Sequence, residues 1–288
     1  MDPLDRADMS FRPVATSYNR PVMAFAPPPT NRSHLQTLAQ LAARGAWQVS
    51  LPHDRAHHLL IWITRGQGTC VLGGAREGFG AHNALFLPAR HLFMLELGRG
   101  CLGQALSIPF GSVTLLPEKP KHLRIRDTSS QAELTGLLDA IGQEQLADRH
   151  YATQAVNAIA SLVGIWLLRK SVASAPTGPV TPARRLVCKY SERLVTSFDS
   201  GEGVSMHAAA LGVTPEHLTR TCKASTGRTA SDLLWGRIEH AARSLICGTE
   251  RPIGDIARDL GFSSIQSFSR FVRQQTGQSP RDLRRMTK

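Results

Sequence analysis

Two stretches near the C-terminus carry, at the spacing of a helix, side chains that can read or hold a nucleic acid. In the first, Glu216, His217, Thr219, Arg220 and Lys223 fall on the side opposite Leu218 and Cys222; in the second, Ile265, Gln266, Ser269, Arg270 and Arg273 fall opposite Phe268 and Val272. The apolar pairs are spaced i to i+4 and form a stripe that must be buried, which leaves the polar sets facing outward. Arg and Gln can bond bidentately to guanine and adenine edges, and Glu can accept from cytosine. Lys223 and Arg273 suit phosphates better. A single basic helix face is more often a solvated surface. Two matched faces in one chain tip the balance toward DNA.

The elements that must position these faces repeat. Ala208-Ala-Ala-Leu-Gly212-Val-Thr aligns with Ala257-Arg-Asp-Leu-Gly261-Phe-Ser at an offset of 49; Arg220, Thr226-Gly227 and Asp232-Leu233 align with Arg270, Thr276-Gly277 and Asp282-Leu283 at an offset of 50. The chain therefore holds two copies of one unit with one residue inserted. Each unit reads as a short amphipathic helix, a glycine turn and a second helix, the pattern of a helix-turn-helix. Thr214 is expected to cap the second helix of the first unit, with Pro215 and Glu216 favourable behind it. Ser263-Ser-Ile-Gln266 predicts a capping box in the second. Between the units, Ala230 to Cys247 reads as one helix with Leu233, Leu234, Ile238, Ala241, Ala242, Leu245 and Ile246 on one face. At 1.5 Å per residue it spans about 27 Å, close to the roughly 34 Å of one turn of B-DNA. Such a connector could offer two helices to successive major grooves.

The 288 residues predict two domains. Hydrophobic residues make up 42% and charged residues 19%, which excludes wholesale disorder and collagen-like chains. Lys and Arg number 34 against 22 Asp and Glu, a formal net charge of +12, and the last 108 residues carry +7 of it. That excess fits a polyanionic partner. The five cysteines lie singly, with no C-x-x-C, so neither a disulfide framework nor a cysteine zinc site is expected and a reducing cytoplasm fits. The N-terminal sequence and an apolar run no longer than Ile159 to Leu168 predict neither secretion nor membrane spanning.

The first 30 residues hold six prolines and read as an extended arm. Residues 31–173 are expected to form one domain, residues 174–182 a proline-rich linker, and residues 183–288 the helical DNA-binding domain. In the first domain, His58–Thr64, Thr69–Leu72, Ala84–Leu87 and Leu92–Leu95 are short β-type runs between glycine turns, which predicts a small antiparallel barrel or sandwich. Ser129–Leu146 and Ala152–Leu168 follow as helices, the second apolar nearly all round and so expected to be buried in its own domain or across a subunit interface. The fold class is α+β.

Trp47, Trp62, Phe86 and Phe93 on or beside the strands could line a pocket for a small effector, with Arg65 or Arg90 anchoring an acid. The same aromatics are more often core material. His53, His57, His58, His82 and His91 could supply imidazoles, yet their spacing is poor for a metal, so neither metal nor cofactor is expected. No G-x-S-x-G, Walker loop or zinc-protease helix is present, and no enzyme activity is expected.

Leu211-Gly-Val-Thr-Pro-Glu-His-Leu-Thr-Arg220, Arg237-Ile-Glu-His-Ala-Ala-Arg-Ser-Leu245, Ile253-Gly-Asp-Ile-Ala-Arg-Asp-Leu-Gly-Phe-Ser263, Phe268-Ser-Arg-Phe-Val-Arg-Gln-Gln-Thr-Gly277 and Ser279-Pro280-Arg281 resemble the AraC/XylS transcription regulators over about the last 85 residues. The resemblance implies a seven-helix DNA-binding domain in which Glu216, Thr219 and Arg220, then Ile265, Gln266, Ser269 and Arg270, face bases. Cys222 departs from it, since a large aromatic is usual there, and the second unit is expected to pack more firmly. The first half, with Leu87-Pro88-Ala-Arg-His91, is similar to the cupin-like sensor and dimerisation domain of that family. The expectation is a cytoplasmic homodimeric regulator, an activator that works with RNA polymerase on a double-stranded operator and answers to a small molecule. The rivals are a cupin metalloenzyme with a DNA-binding tail, a DNA-repair methyl-transfer protein, and a regulator without effector that is controlled by a protein partner.

Overall fold

The computed structural model of the chain describes residues 32–147, 149–173 and 181–286. The predicted arm and the predicted linker up to residue 180 lie outside them. The first half runs β1 (His34–Thr37), α1 (Leu38–Leu41), α2 (Trp47–Ser50), β2 (His58–Arg65), β3 (Gln67–Leu72), β4 (Ala75–Gly80), β5 (Asn83–Leu87), β6 (Met94–Leu97), β7 (Leu102–Ile108), β8 (Lys121–Arg124), α3 (Thr128–Ala147) and α4 (Ala152–Ala173). The second half is helical: α5 (Pro182–Ser197), α6 (Val204–Ala210), α7 (Pro215–Thr226), α8 (Ala230–Gly248), α9 (Ile253–Asp259), α10 (Ile265–Thr276) and α11 (Pro280–Met286).

The strands form two antiparallel sheets, ordered β1-β7-β2-β5-β8 and β4-β3-β6. This is the sandwich alternative of the sequence reading; the sheets do not close into a barrel, because β1, β8, β4 and β6 each pair on one side only. Alternation along β2 explains the layering. Leu60 and Trp62 join Phe86, Leu106 and the inner faces of α3 and α4 in one core. Leu59, Ile61 and Ile63 point the other way, toward Cys70, Leu72, Phe79 and Leu95 of the small sheet. The small sheet is covered in turn: Met94, with Val71 beside it, packs into the core of the helical half. Helices, large sheet, small sheet and helices therefore stack as four layers.

Helix α4 has the length and composition of a membrane span. Its Val156, Ala160, Val163, Trp166 and Leu167 instead lie in the core with α3 and the large sheet. At Gly164 an added Cβ would stand 2.2 Å from the Leu115 carbonyl oxygen, so this helix and the loop before β8 touch backbone to backbone. The sequence reading missed β1, β4, β7 and β8. Strand β4, Ala-Arg-Glu-Gly-Phe-Gly, has no apolar alternation, and β7 is interrupted by Gly103, where a Cβ would lie 2.3 Å from the Trp62 carbonyl oxygen. Thr181 and Pro182, placed in the linker from the sequence, are the N-cap and first residue of α5, with Thr181 Oγ1 accepting from the Arg184 amide at 3.2 Å.

Candidate nucleic-acid interface

Two copies of one local structure present the residues singled out above. In α6–α7 the chain reverses at Gly212 (φ +69°), with Gly212 N–H donating to Ala209 O and Val213 N–H to Ala208 O. In α9–α10 Gly261 (φ +80°), Gly261 N–H to Arg258 O and Phe262 N–H to Ala257 O repeat it at an offset of 49. Only glycine holds such a φ without strain. At Gly261 a Cβ would also sit 2.6 Å from the Gly201 nitrogen.

Helices α7 and α10 begin 50 residues apart, so the inserted residue falls in the turn just before α10. That shifts its cap: Ser264, not Ser263, accepts from the Ser267 amide at 3.1 Å, and the capping box expected with Gln266 does not form because Ser267 takes the N3 place. In α7 the expected cap holds, with Thr214 Oγ1 accepting from His217 N at 3.2 Å. Both helices end on a left-handed glycine, Gly227 and Gly277.

The stripes are buried as their spacing requires: Leu218 and Cys222 in α7, Phe268 and Val272 in α10. Burial pushes the Cys222 thiol up to about 12. Phe268 and Phe271 pack on Phe262 at ring distances of 5.2 and 5.3 Å, and Trp235 of α8 stands 5.5 Å from Phe271. The first unit is tied differently, by the buried Tyr190 hydroxyl donating to the Ala230 carbonyl at 2.8 Å. Outside these stripes Glu216, His217, Arg220, Lys223, Ile265, Gln266, Arg270 and Arg273 are exposed, with Thr219 and Ser269 half-buried beside them. Among the described residues Arg220, Lys223, Arg270 and Arg273 form no ion pair, whereas Arg251, Arg258 and Arg285 on the same domain do. The four cations are available to an outside anion.

The units are joined by α8, 19 residues long and so about 28 Å by its rise. The predicted apolar face is buried in full. The opposite face is buried too, which the sequence reading did not foresee. Gly236 faces Pro52, where a Cβ would stand 2.6 Å from the ring, and Arg237 donates from Nε and Nη2 to Asp54 Oδ1 at 3.0 and 2.6 Å. Both side chains of that pair are almost fully buried, and the Arg237 guanidinium also lies 3.8 Å above the Phe198 ring. Beside it the His240 and His53 rings stack at 4.3 Å, with Trp47 5.5 Å from His240 and Phe93 4.1 Å from His53. Burial, then the mutual repulsion of the imidazoles and the nearby guanidiniums of Arg55 and Arg237, holds His53 well below the usual imidazole range; burial and the same arginines do so for His240. Arg237 and His240 look like a solvated face in the sequence. Gly236 in mid-helix is the one signal that another element packs close against this face.

The six residues considered for an effector are not brought together. Trp62 and Phe86 lie in the core with α3 and α4, Phe93 lies in the other core, and Trp47 opens α2 at the contact with α8. Arg65 and Arg90 are exposed, the latter at φ +59°. Of the five histidines, only His53 is fully buried.

A helix-turn-helix domain family matches residues 207–286. The regulatory protein SoxS of Escherichia coli K12 is 36% identical over 87 residues, 30% of this chain and 81% of SoxS. The bifunctional transcriptional activator and DNA repair enzyme AdaA of Bacillus subtilis is 28% identical over 113 residues, 39% of this chain and 54% of AdaA. Among solved structures, ToxT of Vibrio cholerae aligns over 89% of this chain and 98% of its own at 11% identity, with a TM-score of 0.42.

Proposed function

The chain belongs to the AraC/XylS family of DNA-binding transcription regulators, and from that premise we propose how its residues divide the work. Helices α7 and α10 enter successive major grooves on one face of a double-stranded operator. Glu216, Thr219 and Arg220, then Ile265, Gln266, Ser269 and Arg270, read base edges; Lys223 and Arg273, with His217 at the start of α7, hold phosphates. One observation carries this reading: two units of the same geometry, joined by one helix whose length approaches a turn of DNA, present cations without an ion pair among the described residues on the corresponding faces.

The protein works in the cytoplasm as an activator beside RNA polymerase, and its first half senses a small molecule. It pairs as a homodimer through α4. The outer side of that helix carries Ala155, Ala158, Leu162, Ile165, Arg169 and Val172 at alternating steps of three and four, the period of a two-helix seam, and Leu162 and Val172 are 52% and 81% exposed. The relatives with a repair activity do not extend that activity to this chain. A repair site of that kind needs clustered cysteines in the first half, and Cys70 and Cys101 lie singly there.

The test is selection of bound fragments from sheared genomic DNA at about 150 mM salt, where non-specific attraction is damped. One enriched motif with two elements about 10 base pairs apart is expected. A failure to enrich any motif would sink the reading.

A further inference from the structure

A cleft of about 290 Å³ opens where the small sheet meets the turn between α7 and α8. Its walls come from both halves: Thr69, Arg76, Met94 and Glu96 on one side, Lys223 and Arg228 on the other. Glu96 stands in its middle. One carboxylate oxygen accepts from the Thr69 hydroxyl at 2.8 Å and from Arg76 at 3.1 Å, and the other accepts from Arg228 at 3.0 Å. The Thr69 hydroxyl and the Arg228 guanidinium hold Glu96 below the usual carboxylate range, against the opposing effect of burial. The second acid of the lining, Asp232, accepts from the Thr229 amide at 3.0 Å and closes the start of α8.

Three cations, Arg76, Lys223 and Arg228, thus line the cleft against two carboxylates, Glu96 and Asp232, which leaves one positive charge in excess. Lys223 has no ion pair among the described residues. Arg76 engages Glu96 and Thr69 through Nη2 alone, and Arg228 engages Glu96 through Nη2 alone, so donors remain on both planar forks. Arg76 lies over the end of α7, within van der Waals reach of Gly227. Glu96 occupies the two guanidiniums much as the carboxylate of a ligand would.

We propose that this cleft is a binding site for a small polar anion bearing a carboxylate or a phosphate monoester, held by Lys223, Arg76 and Arg228 across the two halves. The volume is at the small end of ligand sites and the lining is charged, which fits a compact water-soluble metabolite rather than a long acyl chain. Lys223 ties the cleft to the DNA: a lysine engaged by the anion is withdrawn from phosphate, so anion and DNA weaken each other reciprocally. That coupling, though not the anion site itself, rests on the regulator reading above.

The full-length protein is titrated with inorganic phosphate and, separately, with succinate, with chloride exchanged to keep ionic strength constant, and followed by calorimetry and thermal unfolding. Saturable one-site binding is expected with at least one probe; phosphate alone assigns phosphate monoesters, and succinate alone assigns carboxylates. Arg76→Gln weakens it by about tenfold, the effect of losing one charge-assisted hydrogen bond. Glu96→Gln does the opposite, because it frees both guanidiniums. A purely structural ion pair predicts no gain from Glu96→Gln. Shifts that do not saturate or that chloride reproduces, or a loss in both variants, overturn the proposal. The operator selection is run on the same preparation: enrichment without anion binding removes the cleft alone, and no enrichment removes the regulator reading.

Discussion

Arg220 and Arg270 occupy equivalent places in their units, exposed and without an acidic partner among the described residues. If they read bases, Arg220→Ala or Arg270→Ala loses about 1–3 kcal/mol on the selected operator and little on random DNA. Arg273→Ala weakens both alike and reduces the salt slope by about one. Titrations of each variant on both DNAs over a salt series check this, and equal losses for all three would mean that none reads sequence. Asp54 has a different kind of importance, because it is the carboxylate that Arg237 meets in a buried place. Asp54→Ala removes the buried carboxylate that this guanidinium bonds and costs about 3–5 kcal/mol of stability, while Asp54→Ala with Arg237→Met recovers most of it. Denaturant unfolding of the single and double variants measures the difference. A double variant no more stable than the single would show that packing, not charge, is lost.

At the scale of elements, legibility followed the strength of local pattern. Both units, the α7 cap and the stripe of α8 were readable because the spacing of Leu218, Cys222, Phe268 and Val272 and the identity of Thr214 are local facts. Strand β2 could be found by its unbroken apolar run, yet its division between two cores depends on alternation about Leu60 and Ile61 that the composition hides. Strands β4 and β7 escaped because Gly78 and Gly80 leave β4 without apolar alternation, while Gly103 of β7 serves a close backbone approach rather than side-chain packing. The cap of α10 was misplaced by one residue since Ser263 and Ser264 are chemically equal and only the geometry of the turn separates them. Helix α4 is the element with an open question of contact, and its outer seam makes a definite prediction. Leu162→Glu leaves the fold intact, as this side chain is half exposed, and shifts the protein from dimer to monomer in sedimentation or light scattering. A dimer undisturbed by the change would place the interface elsewhere.

The whole molecule is knit across its halves by buried imidazoles. His53, buried against His240, Arg55 and Arg237, is depressed well below its ordinary value, as is His240; His57 is brought down to about 4 by burial and then by Arg55 and His58. In the unfolded chain these groups take up protons near 6.5, so in the window between about 4 and 6.5 the unfolded state binds more protons than the folded one. Stability therefore rises with pH across that window and is lost as pH falls through it. Thermal midpoints over a pH series check the slope, and His240→Gln flattens it. A profile unchanged by that variant would assign the acid sensitivity to other groups, such as His207, which burial also depresses.

The contact of α8 with the segment from Trp47 to Arg55 also bears on how far the two halves are interchangeable. Regulators of modular build invite chimeras in which one reader is grafted onto another sensor. Here the graft would strand Arg237 and His240 against a foreign surface and lose the close fit of Gly236 on the Pro52 ring, where even a Cβ would stand 2.6 Å from it. A transplant of the reader must carry residues 47–55 with it, so the unit that can be exchanged intact is discontinuous in the chain.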